Sequence, residues 1–147
     1  MKSLSDKGVI FPAVLLTNIP EFCKDERSLS KGYIRGHGAV GERYPAAEGQ
    51  RFIDQSGNLY VINRAVIKEV GEPAFRTAIN IALTRLGLGL RMVINEFEVE
   101  CVGAIDLDAA KALILPRAEH ESTDSDLTDL DRIRRARTFP ELIDATR

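Results

Sequence analysis

The feature that most constrains the fold is a predicted helix followed at once by the longest predicted strand, within residues 72–103. Pro73 stands where the first turn of a helix tolerates a missing N–H, and Gly87 stands where a left-handed cap fits. Between them, apolar residues recur at offsets of three and four and form one stripe, with Leu83 beside it: Phe75, Ala78, Ile79, Ala82 and Leu86. We expect this stripe to pack on a sheet and to be a main source of stability, with Arg76 and Asn80 on the opposite side of the helix.

The strand that follows alternates between two kinds of face. One face is mostly apolar and carries Val93, Asn95, Phe97, Val99 and Cys101. The other carries Met92, Ile94, Glu96, Glu98, Glu100 and Val102. Such alternation is typical of an antiparallel sheet with one buried and one solvated face.

Of the patterns in the sequence, the three glutamates Glu96, Glu98 and Glu100 come nearest to a binding feature. Their side chains would project from one face about 6.5–7 Å apart, given a rise near 3.3 Å per residue. One interpretation is a solvated face that pairs with cations on a neighbouring strand, with candidates Arg51, Arg64 and Lys68. The other is an acidic surface that attracts a basic protein partner.

Turn residues divide the rest of the chain into short elements. Residues 9–16 predict a buried strand, and residues 50–63, with Gly57 and Asn58 at the turn, predict a hairpin. Capping residues and apolar spacing predict helices over about 19–28 (after Asn18), 107–115 (after Asp106 and ended by Pro116) and 126–137. A last short helix is predicted from Thr138, with Glu141 at the spacing of a capping box.

These elements predict a single α+β domain. We expect a mostly antiparallel sheet of about four strands, the central helix packed on one face, and a charged helical C-terminal tail. The core domain would cover residues 1–116. Residues 117–147 would form a polar linker and C-terminal helices packed on the same domain, and these helices also offer a surface for a homo-oligomer.

Residues 30–50 contain five glycines and a proline and predict a long loop. Long loops in compact domains often carry function, so this segment is a candidate ligand loop, with a polar lining of Tyr33, Arg35, His37, Arg43 and Tyr44. Residues 36–41 read G-x-G-x-x-G, but Pro45 and Gly49 exclude the helix that a dinucleotide site requires after its glycines.

Charge and composition argue against several classes of protein. The net charge of -2, from 20 basic and 22 acidic residues, disfavours a nucleic-acid binder. The apolar run near the start is far shorter than the roughly 20 residues that span a membrane, so we expect no membrane contact and a cytoplasmic location. Cys23 and Cys101 lack the spacing of metal ligands, and we expect both to be reduced and mostly buried.

Taken together, these features favour a binding protein over an enzyme. We find no motif that indicates a catalytic residue, a metal site or a cofactor. The leading hypothesis is a small protein-binding module, an immunity or inhibitor protein that neutralises a partner protein through Glu96, Glu98 and Glu100. The alternative is a small enzyme or small-ligand-binding domain that uses the loop of residues 30–50.

Overall fold

The computed structural model describes residues 3–36, 38–73, 77–86, 89–121 and 127–147. The strands are β1 Ala13–Leu16, β2 Pro20–Cys23, β3 Lys31–Arg35, β4 Arg51–Asp54, β5 Asn58–Pro73 and β6 Leu90–Ala104. The helices are α1 Glu26–Ser30, α2 Ala78–Arg85, α3 Leu107–Glu121, α4 Leu127–Arg135 and α5 Phe139–Asp144.

The strands form a six-stranded sheet in the order β2-β1-β4-β5-β6-β3. Antiparallel registers join β1 to β2, β1 to β4, β4 to β5 and β3 to β6. The α+β class is therefore right, but the prediction of about four strands is wrong. The two strands that the sequence did not predict are β2 and β3.

Strand β2 lies where a helix over about 19–28 was predicted. The segment instead turns back on β1, with Phe22 opposite Val14, and the Thr17 hydroxyl donates to the Ile19 carbonyl in the turn. Helix α1 starts only at Glu26, after Asp25, whose carboxylate accepts the Ser28 N–H at 2.8 Å. The prediction that Asn18 caps a helix is therefore wrong, and Asp25 takes this role several residues later in the chain.

Strand β3 lies inside the segment that was predicted to be an irregular loop. It pairs with the start of β6, and Gly32 lies opposite Val93. A Cβ atom at Gly32 would come within 2.7 Å of the Tyr44 ring, so the glycine makes room for this ring against the strand. The glycine contributes to the prediction of a loop, whereas its role in the structure is close packing.

The chain divides into two compact units. We call Ser30–Glu48 and Asn63–Glu98 the first unit, and Lys2–Leu29, Gly49–Ile62 and Val99–Arg147 the second unit.

The second unit contains a large apolar core built from strands and C-terminal helices. Its fully buried side chains include Val14, Ile53, Ile114, Leu142 and Ile143. The charged tail predicted by the sequence is therefore part of this core, since α4 and α5 contribute Leu130, Ile133, Leu142 and Ile143 to the buried set, and Ala136 between the two helices is also buried.

Helix α3 continues through Pro116 to Glu121, so the prediction that Pro116 ends it is wrong. Arg117 follows the proline, and its guanidinium donates to the Leu113 carbonyl at 2.6 Å and to the Thr17 carbonyl at 3.1 Å. The bond to Thr17 holds the segment beyond Pro116 close to the end of β1, within the second unit.

Asp54 organises the hairpin between β4 and β5. It is completely buried, and its carboxylate accepts the backbone N–H groups of Ile10, Ser56 and Asn58 at 3.0–3.1 Å. Gly57 adopts a positive φ of 87° in the turn, as the sequence predicted.

The predicted helix caps near the C-terminus are confirmed. The Asp106 carboxylate accepts the Ala109 N–H at 2.7 Å at the start of α3. The Thr138 hydroxyl accepts the Glu141 N–H, and the Glu141 carboxylate accepts the Arg137 N–H at 2.9 Å.

Helix α2, in the first unit, reverses the predicted orientation. Ile79 is 75% exposed and Leu86 is 72% exposed, so the apolar stripe faces away from the sheet. The Asn80 side chain instead accepts the Leu90 N–H at 3.0 Å and donates to the Leu90 carbonyl at 3.3 Å. Pro73 belongs to β5, and the helix begins only at Ala78. Phe75, Arg76 and Gly87, which were part of the prediction, lie outside the described residues.

Candidate functional site

The three glutamates all lie on β6, as predicted, but they differ in exposure. Glu96 is half-buried, whereas Glu98 and Glu100 are exposed. Glu96 and Glu98 belong to the first unit and Glu100 to the second. Glu96 and Glu100 each interact with another group of the protein. The predicted acidic row is therefore not a uniform surface.

The end of β6 is exposed on both faces. Val93, Asn95 and Phe97 are buried, as predicted for one face of the strand. Every residue over 98–104 is exposed or half-buried, including Cys101, which we had expected to be buried, and Val102, which is 60% exposed. The predicted alternation is therefore wrong in two places: Ile94, on the face predicted to be solvated, is also buried, and the face predicted to be buried is covered only up to Phe97.

The neighbouring edge strand stops well before this exposed segment. Strand β3 pairs with β6 over residues 90–94, with Lys31 opposite Ile94 at the end of the register. The end of β6 thus extends beyond β3. Backbone N–H and C=O groups on the side of a strand that lacks a neighbour are a natural template for another strand.

The two cysteines have opposite environments. Cys23 is 2% exposed, and burial, followed by the nearby charge of Glu21, raises the pKa of its thiol to about 12. Its thiol also donates to the Glu21 carbonyl at 3.6 Å. Cys101 is exposed and forms no disulfide. Only the Cys101 thiol is therefore accessible to a reagent.

Two residues of the candidate ligand loop hold the loop in place. The Arg43 guanidinium donates two hydrogen bonds to the Glu48 carboxylate. The bond from Nε to Oε1 is 2.7 Å long. This hydrogen bond is the main reason that the pKa of Glu48 is lowered. The Tyr44 hydroxyl accepts the Tyr33 N–H at 3.1 Å and donates to the Tyr33 carbonyl at 3.2 Å.

The other candidate loop residues are more open. Tyr33 is 49% exposed, and Arg35 is exposed at the end of β3. His37 lies outside the described residues. The loop backbone is fixed to β5, because the Gly41 N–H donates to the Ile67 carbonyl at 2.7 Å and the Tyr44 N–H donates to the Ala65 carbonyl at 2.8 Å.

Asn95 is a buried polar residue whose role the sequence reasoning missed. It is 3% exposed, and both its amide oxygen and its amide nitrogen lack a hydrogen-bond partner among the described residues. The buried Nε of Arg91 lacks one as well, and strand alternation places Arg91 and Asn95 on the same face of β6. An amide between Val93 and Phe97 on an apolar face was visible in the sequence, and it was the signal that could have identified this position.

The described part of the chain contains no group of three or more His, Cys, Asp or Glu residues that could hold a metal ion. Among the helices described, none is long and apolar enough to cross a membrane.

Comparisons with models of protein families, with curated proteins and with solved structures gave no match.

Proposed function

We propose that the protein is a small protein-binding module whose partner contacts the end of β6, at residues 99–104. The observation that carries this proposal is the exposure of both faces of this segment. A strand in a packed sheet normally covers a core with at least one face. A strand segment that covers no core with either face is available to another molecule.

Strand addition is the mode of binding that fits this segment. The register between β6 and β3 ends at Ile94, so we expect the backbone of residues 99–104 to be available to an extended segment of a partner. Main-chain hydrogen bonds would then supply affinity, and the side chains of β6 would supply selectivity. Val102, at 60% exposed, offers an apolar contact at the middle of the segment.

The charge of the segment selects a basic partner. Glu100 is exposed within residues 99–104, and Glu98 precedes it on the same strand. Lysine or arginine side chains in a partner strand would be attracted to these carboxylates, and the attraction would speed association at low salt. A module that covers a basic segment in this way blocks what that segment does. Neutralisation of the partner, as by an inhibitor or immunity protein, is therefore the role we propose.

Differential affinity capture tests this proposal. The wild-type chain, Glu100→Lys and Glu21→Lys serve as three baits in extract from the native host. Glu21 is the matched control, because it is exposed on β2, the strand at the other edge of the sheet. We expect a stoichiometric protein that is retained by the wild type and by Glu21→Lys but not by Glu100→Lys.

A defined peptide gives the quantitative version of this test. An extended peptide of alternating lysine and valine should bind the wild type, with amide shifts over residues 99–104 in NMR spectra. Glu100→Lys should weaken binding at least about tenfold, which corresponds to about 1.4 kcal/mol. A peptide with glutamate in place of lysine should not bind. Equal binding of all three protein variants, or shifts elsewhere in the chain, would refute the proposed contact.

One observation favours a second candidate, a small-ligand site in the first unit. The unpaired amide of Asn95 and the Nε of Arg91 provide a donor and acceptor set on one strand face. If they bind a ligand, a small molecule that raises the melting temperature of the wild type should not do so for Asn95→Leu. If the amide is only a polar group in the core, Asn95→Leu leaves such a shift unchanged, and this second candidate is eliminated.

A further inference from the structure

Strand β3 presents an aromatic side chain between two basic ones. Lys31, Tyr33 and Arg35 occupy every second position of the strand, so their side chains project from the same face. All three are exposed, and Tyr33 is 49% exposed. A rise near 3.3 Å per residue places the two basic residues about 13 Å apart, on either side of the tyrosine. We call these three residues the β3 platform.

The neighbouring strand leaves the charges of the β3 platform unbalanced. The residues of β6 that lie directly opposite Lys31, Tyr33 and Arg35 are Ile94, Met92 and Leu90. None of these three opposing residues carries a charge. Within the part of the chain that the structure describes, neither Lys31 nor Arg35 forms an ion pair. Both cations are therefore available to an anionic partner.

The backbone of the β3 platform is already occupied at its centre. The Tyr44 hydroxyl accepts the Tyr33 N–H at 3.1 Å and donates to the Tyr33 carbonyl at 3.2 Å. The Tyr44 ring lies against Gly32, where an added Cβ atom would come within 2.7 Å of it. A partner strand that paired with β3 at Tyr33 would have to displace this hydroxyl. A partner therefore contacts the face of the strand, where the Tyr33 ring is exposed, rather than its edge.

The net charge of the whole chain conceals a difference between the two units. The first unit, which contains β3, has eight basic and six acidic residues and a net charge of +2. The whole chain carries -2, so the second unit carries -4. The argument from net charge against a nucleic-acid binder therefore applies to the chain as a whole and not to the first unit, since local charge determines where a polyanion binds.

We propose that the β3 platform binds single-stranded nucleic acid. A base stacks on the ring of Tyr33, and Lys31 and Arg35 contact phosphates on either side of that base. Every base has an aromatic face, so this mode of binding has little sequence selectivity. An acidic peptide would match the two cations, but it would leave the Tyr33 ring without a stacking partner, and this difference favours a nucleic acid.

The small number of contacts sets the affinity. One stacked base and two phosphate contacts give weak binding, within the range of non-specific association, with a Kd of about 10–100 µM at low salt. A duplex should bind more weakly than a single strand, because its paired bases are not free to stack on Tyr33.

Fluorescence anisotropy tests the stacking contact, with labelled single-stranded uridine and thymidine oligonucleotides of about ten nucleotides. Binding of either one supports the proposal, and the comparison shows whether RNA or DNA is preferred. Tyr33→Leu should weaken binding at least about fivefold, whereas Tyr33→Phe, which keeps the ring, should bind like the wild type. Both variants retain the bonds from Tyr44, because these bonds reach only the backbone of Tyr33. A wild type that binds neither oligonucleotide, or equal binding by Tyr33→Leu, overturns the proposal.

The dependence of binding on salt tests the phosphate contacts. Lys31→Ala and Arg35→Ala should each weaken binding and reduce the slope of log K against log salt concentration by about 0.7. Lys24→Ala is the matched control, because Lys24 is exposed, belongs to the second unit and changes the net charge by the same amount. Equal weakening by Lys24→Ala overturns the proposal. An acidic peptide of alternating glutamate and valine that binds as tightly as the oligonucleotides also overturns it. None of these substitutions alters residues 99–104, so the outcome is independent of the partner contact proposed for β6.

Discussion

The sequence predicts that α2 packs in the core and that α5 belongs to a charged tail. In the structure, α5 is buried in the core and α2 exposes its apolar stripe. Helix α2 has the clearer apolar stripe, yet Ile79 is 75% exposed. Helix α5 has only six residues in a segment predicted to be a charged tail, yet Leu142 and Ile143 are both 0% exposed. The periodicity of a helix indicates which residues share a side, but it does not indicate which side meets the sheet. In α2, the two hydrogen bonds between the Asn80 side chain and the Leu90 backbone determine that side.

A matched pair of isoleucine substitutions gives the largest expected difference between the two helices. Ile143→Ala removes a fully buried side chain and should lower the free energy of unfolding by about 3–4 kcal/mol. Ile79→Ala truncates an exposed side chain and should change it by less than about 0.5 kcal/mol. Urea unfolding of both variants at one protein concentration provides the measurement. Comparable losses for the two variants would show that α2 is packed after all.

The two thiols extend the comparison between packed and exposed parts of the molecule. Burial keeps the pKa of Cys23 at about 12 in the folded protein, against 9.0 for an unperturbed thiol. Between these values the unfolded chain loses the proton and the folded chain retains it, so stability falls as pH rises. Once the unfolded thiol is ionised, the contribution of Cys23 to this fall is about 1.4 kcal/mol per pH unit.

Unfolding measurements from pH 8 upward check this contribution, with Cys23→Ala as the reference, since the variant should show a shallower fall above about pH 9. A thiol reagent at pH 8 should modify Cys101 in the native protein and both cysteines after denaturation. Rapid modification of Cys23 in the native state would contradict the buried environment.

A smaller effect is expected from the anchor of α2. Asn80→Ala removes both hydrogen bonds to Leu90 and should destabilise the helix locally, by about 1–2 kcal/mol. Hydrogen exchange should become faster for the amides of Ala78–Arg85, while amides in α5 keep their protection. If the α2 amides exchange as in the wild type, Asn80 does not hold the helix in place.

The elements predicted correctly are those with local signals. The hairpin around Gly57 and Asn58 follows from turn residues between two β-rich runs, and the start of α5 follows from Thr138 and Glu141. In each case the determining residues lie within a few positions of one another. These contacts form between neighbours in the chain, and they require no knowledge of distant partners.

The elements that were missed depend on distant partners. Strand β3 exists because Gly32 lies opposite Val93 and beneath the ring of Tyr44, neither of which the composition of the segment indicates. The same limit applies to the candidate site. Alternation placed the glutamates on β6, but the exposure of Cys101 depends on where the core ends, and the sequence predicted the wrong helix as the centre of that core.

Cys101 has a practical consequence for the study of this chain. It lies within the segment of β6 proposed to meet the partner, and it is the exposed one of the two thiols. A fluorophore attached there would report from the middle of the contact without any change to the amino-acid sequence. The unaltered protein thus already carries an attachment site for a probe of the proposed contact.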